Sequence, residues 1–157
     1  MVMIGPERYN ELYRKFANLN DLLAWGHARV IENLLAARPD CPRALSDQFA
    51  NPRVIKKALL EKGKTIKVDQ RTKAESDVAV AAASILARER FVAWLDNQGK
   101  TVGLALPKGV SAQVKAAACD LVARAGPDAL KRFAKVHFRT AAEVLELSGG
   151  PAGPGEE

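Results

Sequence analysis

Apolar residues in the first third of the chain recur at helical spacing. Tyr9, Leu12, Tyr13 and Phe16 share one face after Pro6 and Glu7, a proline suited to a first helical position and an acid suited to a first turn. They predict a helix ending near Asn18 to Asn20. A second helix is expected just after Asn20, with Asp21 in its first turn. Leu22, Trp25, Ala28, Ile31, Leu34 and Leu35 form one stripe along it, and Pro39 and Pro42 close it. Arg43 to Phe49 reads as a short strand, because Asn51 and Pro52 immediately supply the cap and first position of a third helix. That helix should run to about Lys62 and stop at Gly63. Thr65, Ile66, Lys67 and Val68 then alternate, with β-branching, as a strand does. Strand, helix, strand in this order favours a parallel pair joined by a crossover, within an α/β layer structure.

From about Ala74 to Gly99 the pattern predicts one long helix. Its Ala-rich stretch from Val78 to Ala87 is apolar on all sides and is therefore expected to be buried against a sheet or other helices. Arg88 to Asn97 turns amphipathic around Phe91, Trp94 and Leu95, and Trp25 and Trp94 read as core anchors. After a loop at Gly103 to Gly109, Ser111 caps a helix through about Ala125, and Pro127 opens another through Ala134. The tail, 148–157, has no means of burying apolar area and is expected to be disordered, leaving residues 1–147 as the folded part. Two strands are too few for a finished sheet, so either strands are hidden in the pattern or the chain lacks part of its domain.

With 157 residues the chain suits a single domain with a modest core. Its net charge of +6 is local. Between Cys41 and Lys73 nine basic residues stand against three acids (Asp47, Glu61 and Asp69), and the remainder of the chain cancels. Lys56, Lys57, Lys62 and Lys64 could follow a phosphate backbone or simply be a solvated helix face. Cys41 and Cys119 are too few and too far apart for a zinc framework, and read as two reduced thiols. No secretory signal is visible near Met1, and the most apolar run is about half of a membrane span, so a soluble cytoplasmic protein with no membrane partner is expected.

Several blocks, in order, resemble type 3 ribonucleases H (ribonuclease HIII, within the ribonuclease HII/HIII family). They are Tyr9-Asn-Glu-Leu-Tyr, Asn18-Leu-Asn-Asp-Leu-Leu-Ala-Trp-Gly-His-Ala, Ile31-Glu-Asn-Leu-Leu, Asp47-Gln-Phe-Ala, Lys73-Ala-Glu, Ala81-Ala-Ala-Ser-Ile-Leu-Ala-Arg, Leu106-Pro-Lys-Gly-Val-Ser and Ala134-Lys-Val-His-Phe-Arg-Thr. The resemblance runs from roughly Pro6 to Ala142. It implies an α/β, ribonuclease H-like fold, helix-rich, with an incomplete sheet. The chain would be the carboxyl-terminal part of the domain, because the family's opening strand, with its Asp-Glu pair and glycine-rich turn, has no counterpart in Met1 to Glu7. Ser46 also departs from the family, which usually has a bulky apolar residue there; a weaker or shorter strand is the expected consequence.

By resemblance, Asp47 and Glu75 are catalytic and metal-ligating carboxylates for Mg²⁺ or Mn²⁺, facing one crevice. Glu75 is placed in the first turn of the long helix, with Asp77 as its competitor. Lys73, Lys108, Lys135, His137 and Arg139 are substrate-binding candidates on the same basis, although an isolated histidine such as His137 or His27 is commonly structural. The implied activity is metal-dependent hydrolysis of the RNA strand of RNA–DNA hybrids, with a missing amino-terminal segment or chain as a partner. Two rivals stand beside it. One is a catalytically dead hybrid- or DNA-binding remnant of the same fold; the other is a small basic helical module, which would prefer duplex DNA.

Overall fold

The computed structural model describes residues 1–149, so the expected tail lies, from residue 150 on, outside the described residues. The elements are α1 (Pro6–Phe16), α2 (Leu19–Ala37), β1 (Arg43–Asp47), α3 (Pro52–Ala58), β2 (Lys67–Arg71), α4 (Val78–Val102), α5 (Ala112–Ala125), α6 (Ala129–Phe133) and α7 (Arg139–Leu147). Short 3₁₀ turns lie at Gly63–Thr65 and Ala74–Ser76. The residues cluster into two compact units, one of residues 1–3 and 15–89, the other of residues 4–14 and from Arg90 on.

In the first unit β1 and β2 pair in parallel, Arg43 opposite Lys67 and Asp47 opposite Arg71. Among the described residues they make up a two-stranded sheet. The predicted strand–helix–strand order therefore holds, with shifted bounds. β1 stops at Asp47 and not Phe49, and β2, read from the alternation as Thr65 to Val68, spans Lys67–Arg71. Helix α3 ends at Ala58, four residues short of Lys62, because Leu59 turns to an extended backbone (φ −59°, ψ 136°) to insert its side chain into the core. That core joins Ala24, Ala28, Ile31 and Leu35 of α2 to Ile55 and Leu59, with Ala44, Phe49 and Val68 packed against it. Asn18, two residues before the expected start, caps α2 by accepting from the N–H groups of Asn20 and Asp21. Leu34, assigned by spacing to the buried stripe, is exposed instead.

Gly63 is buried where its N–H donates to Glu32 Oε1 at 2.6 Å, and an added Cβ would meet Leu59 at 3.1 Å. A glycine here ends the crossover by letting backbone approach α2, in addition to any role as a helix stop.

In the second unit Leu121 and Val122 of α5, Ala129 and Leu130 of α6, and Val144 of α7 form the core. Asn10, buried on α1, fastens that helix to the segment between α6 and α7. Its Nδ2 donates to the carbonyls of Lys131 and Ala134 at 3.2 and 3.0 Å, and its Oδ1 accepts from Val136 N–H at 3.1 Å. Ser111 caps α5 as expected. The helix opened after Pro127 is a single short one, and α7 follows it, an element the spacing did not suggest.

The long helix departs most from expectation. It begins at Val78 and not Ala74, since the Ala74–Ser76 turn and an extended Asp77 intervene, and it runs on to Val102. Its Ala-rich stretch is not buried: residues 82–90 are exposed in succession, and Val78, Ile85 and Leu86 are 85, 68 and 60% exposed. Among the described residues nothing covers Val78, Ile85 or Leu86 to the extent the apolar pattern suggested.

Gly99 lies inside α4, where glycine ordinarily costs about 1 kcal/mol relative to alanine. It is required by a close approach, because a Cβ there would sit 2.6 Å from the Leu104 carbonyl oxygen, a backbone atom that cannot swing away. Gly99→Ala is therefore expected to lower stability by about 1–3 kcal/mol in urea unfolding despite the better helix former; a stabilised variant would refute the close approach.

Candidate active site

Parallel pairing brings the carboxyl ends of β1 and β2 to one place, and the chemistry-bearing residues of the first unit collect there. Asp47 is the last residue of β1, opposite Arg71, the last of β2. Its side chain is exposed, and Oδ1 accepts from the Ala74 N–H at 3.2 Å. Ala74 is fully buried and opens the 3₁₀ turn whose next residue is Glu75. One hydrogen bond thus ties the carboxylate at the strand end to the turn that carries the second carboxylate. Asp47 retains further lone pairs for a ligand after making it.

Lys73 bends the chain into this turn with φ 54° and ψ 42°, a left-handed conformation costing a residue with a Cβ roughly 1–2 kcal/mol. The Asp47 bond to the adjoining residue helps hold that conformation. Glu75 lies on the 3₁₀ turn and not in the first turn of α4, a correction to the predicted placement. Asp77 is engaged otherwise. Its Oδ1 accepts from Ala79 N–H at 3.0 Å, as a helix cap does, and Oδ2 lies 3.9 Å from Arg71. Glu75 is exposed and, among the described residues, makes no hydrogen bond or ion pair within the protein.

Behind Asp47, the Ser46 side chain is buried, and its Oγ lies 3.0 Å from His27 Nδ1 and 3.0 Å from the Asp47 carbonyl. With the hydroxyl donating to that carbonyl, His27 is the donor at Nδ1. Burial lowers the His27 pKa, opposed by the negative charge of Asp47. Ser46, where the family usually carries a bulky apolar residue, thus leaves β1 intact through Asp47 and gives the imidazole a polar partner. The signal was the coincidence of a histidine on the buried side of α2 with a serine in an otherwise apolar strand position.

The other candidates lie in the second unit. Lys108 is exposed on the loop after α4. Lys135 holds its ammonium 4.5 Å from the centre of the Tyr9 ring, and the accompanying burial lowers its pKa. His137 is stacked on Tyr13 and beside Phe138, with ring centres 3.9 and 4.0 Å apart, and its Nδ1 is buried without a partner. Burial first, then the charge of Lys135, lower its pKa. Arg139 pairs with Glu143 at 2.9 Å one turn along α7, and Lys115 takes the other oxygen of that carboxylate at 2.5 Å. These bonds, Lys115 first, hold the Glu143 pKa below its ordinary value.

Asp47 and Glu75 offer hard carboxylate oxygens, the donor chemistry of Mg²⁺ and Mn²⁺. They fit as part of such a shell, yet no cluster of three or more His, Cys, Asp or Glu suited to a metal occurs among the described residues. Arg53, Lys56 and Lys57 stand exposed on α3, which follows Asp47 in the chain. Both cysteines are free, and no described helix is long and apolar enough to cross a membrane.

The two depressed imidazoles make a pH prediction. Below the ordinary histidine pKa of about 6.5 the unfolded chain takes up protons that the folded chain resists, so stability present above that pH is lost as pH falls toward the folded values. The urea midpoint should drop between pH 7.5 and 5.5, and His27→Asn combined with His137→Asn should flatten the drop; an unchanged slope in the double variant would assign it to other groups.

The family model described as Ribonuclease HII matches residues 5–141. A Ribonuclease HIII from Protochlamydia amoebophila is 42% identical over 149 residues, 95% of this chain and 49% of the relative. Ribonuclease HIII from Chlamydia felis is 46% identical over 148 residues, 93% of this chain and 49% of the relative. Among solved structures, Bst-RNase HIII in complex with Mn²⁺ superposes with a TM-score of 0.84 at 30% identity, covering 94% of this chain and 49% of that one. The chain spans about half the length of the curated relatives it matches.

Proposed function

This chain belongs to the ribonuclease HII family and, within it, to the type 3 ribonucleases H, and we propose that residues 1–147 are part of a catalytic domain that hydrolyses the RNA strand of RNA–DNA hybrids with Mg²⁺ or Mn²⁺. The observation that carries the reading is the bond from Ala74 N–H to Asp47 Oδ1, which couples the strand-end carboxylate to the turn bearing Glu75. Ligands of α/β sheets bind at the carboxyl ends of parallel strands, where this pair lies. Asp47 and Glu75 would each give oxygens to the divalent ions; Asp77, already capping α4, would not. Bound ions of this kind activate a water for attack on phosphorus and stabilise the departing 3′ oxygen.

The remaining work falls to side chains that position the polyanion. Lys73 lies next to the carboxylate turn, and Lys108, Lys135 and Arg139 offer cations for the hybrid backbone. His137, stacked between aromatic rings, acts by fixing the segment that carries Lys135 and Arg139. Hybrid preference would come from backbone shape and 2′-hydroxyls, without reading base sequence. Two carboxylates leave the metal shell open, so further acids are expected from polypeptide outside residues 1–157, an amino-terminal segment or a separate chain. The absence of a third ligand among the described residues equally favours a second reading, a hybrid-binding remnant without turnover.

Cleavage of a labelled hybrid separates the two. The chain alone should cut poorly, and the chain completed with the half of a relative that lies outside the match should cut with Mg²⁺ or Mn²⁺. Asp47→Asn should abolish that activity, being near-isosteric and still able to accept the Ala74 bond. A folded, completed protein without cleavage would leave the remnant reading.

Binding supplies an independent check. Affinity for hybrids should fall steeply with salt, and Lys108→Ala and Arg139→Ala should each weaken it and reduce the salt slope by about one. Unaltered slopes in both variants would remove these two residues from the interface.

A further inference from the structure

The surplus of positive charge between Cys41 and Lys73 is unevenly satisfied once the chain is folded. Lys64 pairs with Glu61 at 3.5 Å and Lys67 with Asp69 at 3.1 Å, while Arg71 lies 3.9 Å from Asp77. Arg53, Lys56 and Lys57 on α3 are exposed, and among the described residues their side chains make no ion pair or hydrogen bond. The helix carries no acid. Positions 53, 56 and 57 stand three and four apart, so the three cations are neighbours on one face, with Ile55 buried on the opposite side against α2. Helix stability does not account for this stripe. Lys56 and Lys57 suit the negative end of a helix, but Arg53 stands in the first turn, where the partial charge is positive, and like charges one turn apart repel.

The position of the stripe is fixed by Gln70, whose Nε2 donates to the Pro52 carbonyl at 2.9 Å and so ties the start of α3 to the end of β2. Arg53 therefore stands at the end of α3 nearest the strand ends, where Asp47 lies opposite Arg71, and Lys56 and Lys57 follow one turn farther away. We propose that Arg53, Lys56 and Lys57 form a phosphate-tracking face that holds the backbone of the RNA–DNA hybrid beside Asp47. The seven residues of α3 span about 10 Å, the length of roughly three base-pair steps, so the face takes two or three phosphates. Cations without an internal partner have no ion pair to break on meeting a phosphate, and their binding releases counterions from the duplex. Arg53 can fork one phosphate through two N–H groups, and the two lysines act as point charges on its neighbours. Such contacts fix the register of a duplex without reading its bases. The inference rests on the reading above that the chain acts on hybrids, and adds cations of the first unit to Lys108, Lys135 and Arg139 of the second.

The test titrates the chain into a labelled hybrid of mixed sequence over a series of salt concentrations. The combined variant Arg53→Gln, Lys56→Gln and Lys57→Gln should bind at least tenfold more weakly at low salt, and its salt slope should fall by about two to three. A control removes the same charge elsewhere, through Arg14→Gln, Lys15→Gln and Lys100→Gln, all exposed, and should keep the slope. The urea midpoint of the α3 variant should hold or rise, because repulsion along the stripe is relieved. An unchanged slope in the α3 variant, an equal loss in the control, a lowered urea midpoint, or no hybrid binding by the chain at low salt overturns the proposal. So does capture of the chain, but not of the α3 variant, by phosphatidylserine vesicles when both bind hybrid equally, which would assign the face to a lipid surface. Full cleavage with an unchanged slope would refute the face and leave hydrolysis standing; a lost slope without cleavage in any arm would sustain the face and favour the remnant reading.

Discussion

Two strands that run the same way cannot be joined by a tight turn, and most of the first unit follows from that constraint. The chain leaving β1 must return to the start of β2, and α3 with the turn at Gly63 makes the return. The return is stabilised by burying Ile55 and Leu59 against Ala28, Ile31 and Leu35 of α2. Since the strands are parallel and in register, Asp47 and Arg71 finish side by side, and the segment leaving β2 starts beside the end of β1. The nearness of the Asp47 carboxylate to the Ala74–Ser76 turn is a consequence of topology before it is a feature of chemistry.

Asp47 has a structural role that leaves part of its carboxylate unused. One oxygen caps a turn entered through the strained backbone of Lys73, and the remaining lone pairs stay available. Holding a carboxylate through a backbone N–H fixes its direction without neutralising it, which suits a cation ligand better than an ion pair with lysine or arginine would. Asp77 shows the contrast. It directly follows the Ala74–Ser76 turn and is also a carboxylate, but its oxygens go to the α4 cap and toward Arg71. His27 and Ser46 set the same residue from behind, through the Asp47 carbonyl, so the main chain of Asp47 is bonded on one side and its side chain on the other.

Local chemistry was legible where one or two residues decide it. Asn51 with Pro52, and Ser111, marked helix starts correctly, and the strand–helix–strand order gave the parallel pair. The residue blocks named the family that the comparisons bear out. Boundaries were less legible, because they depend on what packs nearby. Lys62 could have continued α3 by propensity, but Leu59 leaves the helix for the core. Glu75 looked helical because Ala74 and the alanines beyond Val78 are good helix formers, and the break at Asp77 comes from its own cap. The His27–Ser46 contact joins residues 19 apart and carries no periodic signal. Helix α7 was hidden because Phe138, at its start, offers no side-chain cap, so no local signal marks where it begins.

The expectation that Val78 to Ala87 is buried fails for a different reason, since among the described residues that stretch stands largely exposed and yet stays helical. Composition accounts for that. Alanine is the best helix former, so this stretch needs little tertiary contact to stay helical and loses little side-chain entropy when covered. Small side chains at Ala82, Ala83 and Ala87 also leave room for close approach of another layer, with Ile85 and Leu86 providing the larger apolar contacts. Beyond Ala87 the same helix turns charged at Arg88 and Glu89, which bounds the apolar stretch at the end of the first unit. The wholly apolar run is therefore about two to three turns long at 5.4 Å each, and the amphipathic half that follows carries its buried contact at Leu95.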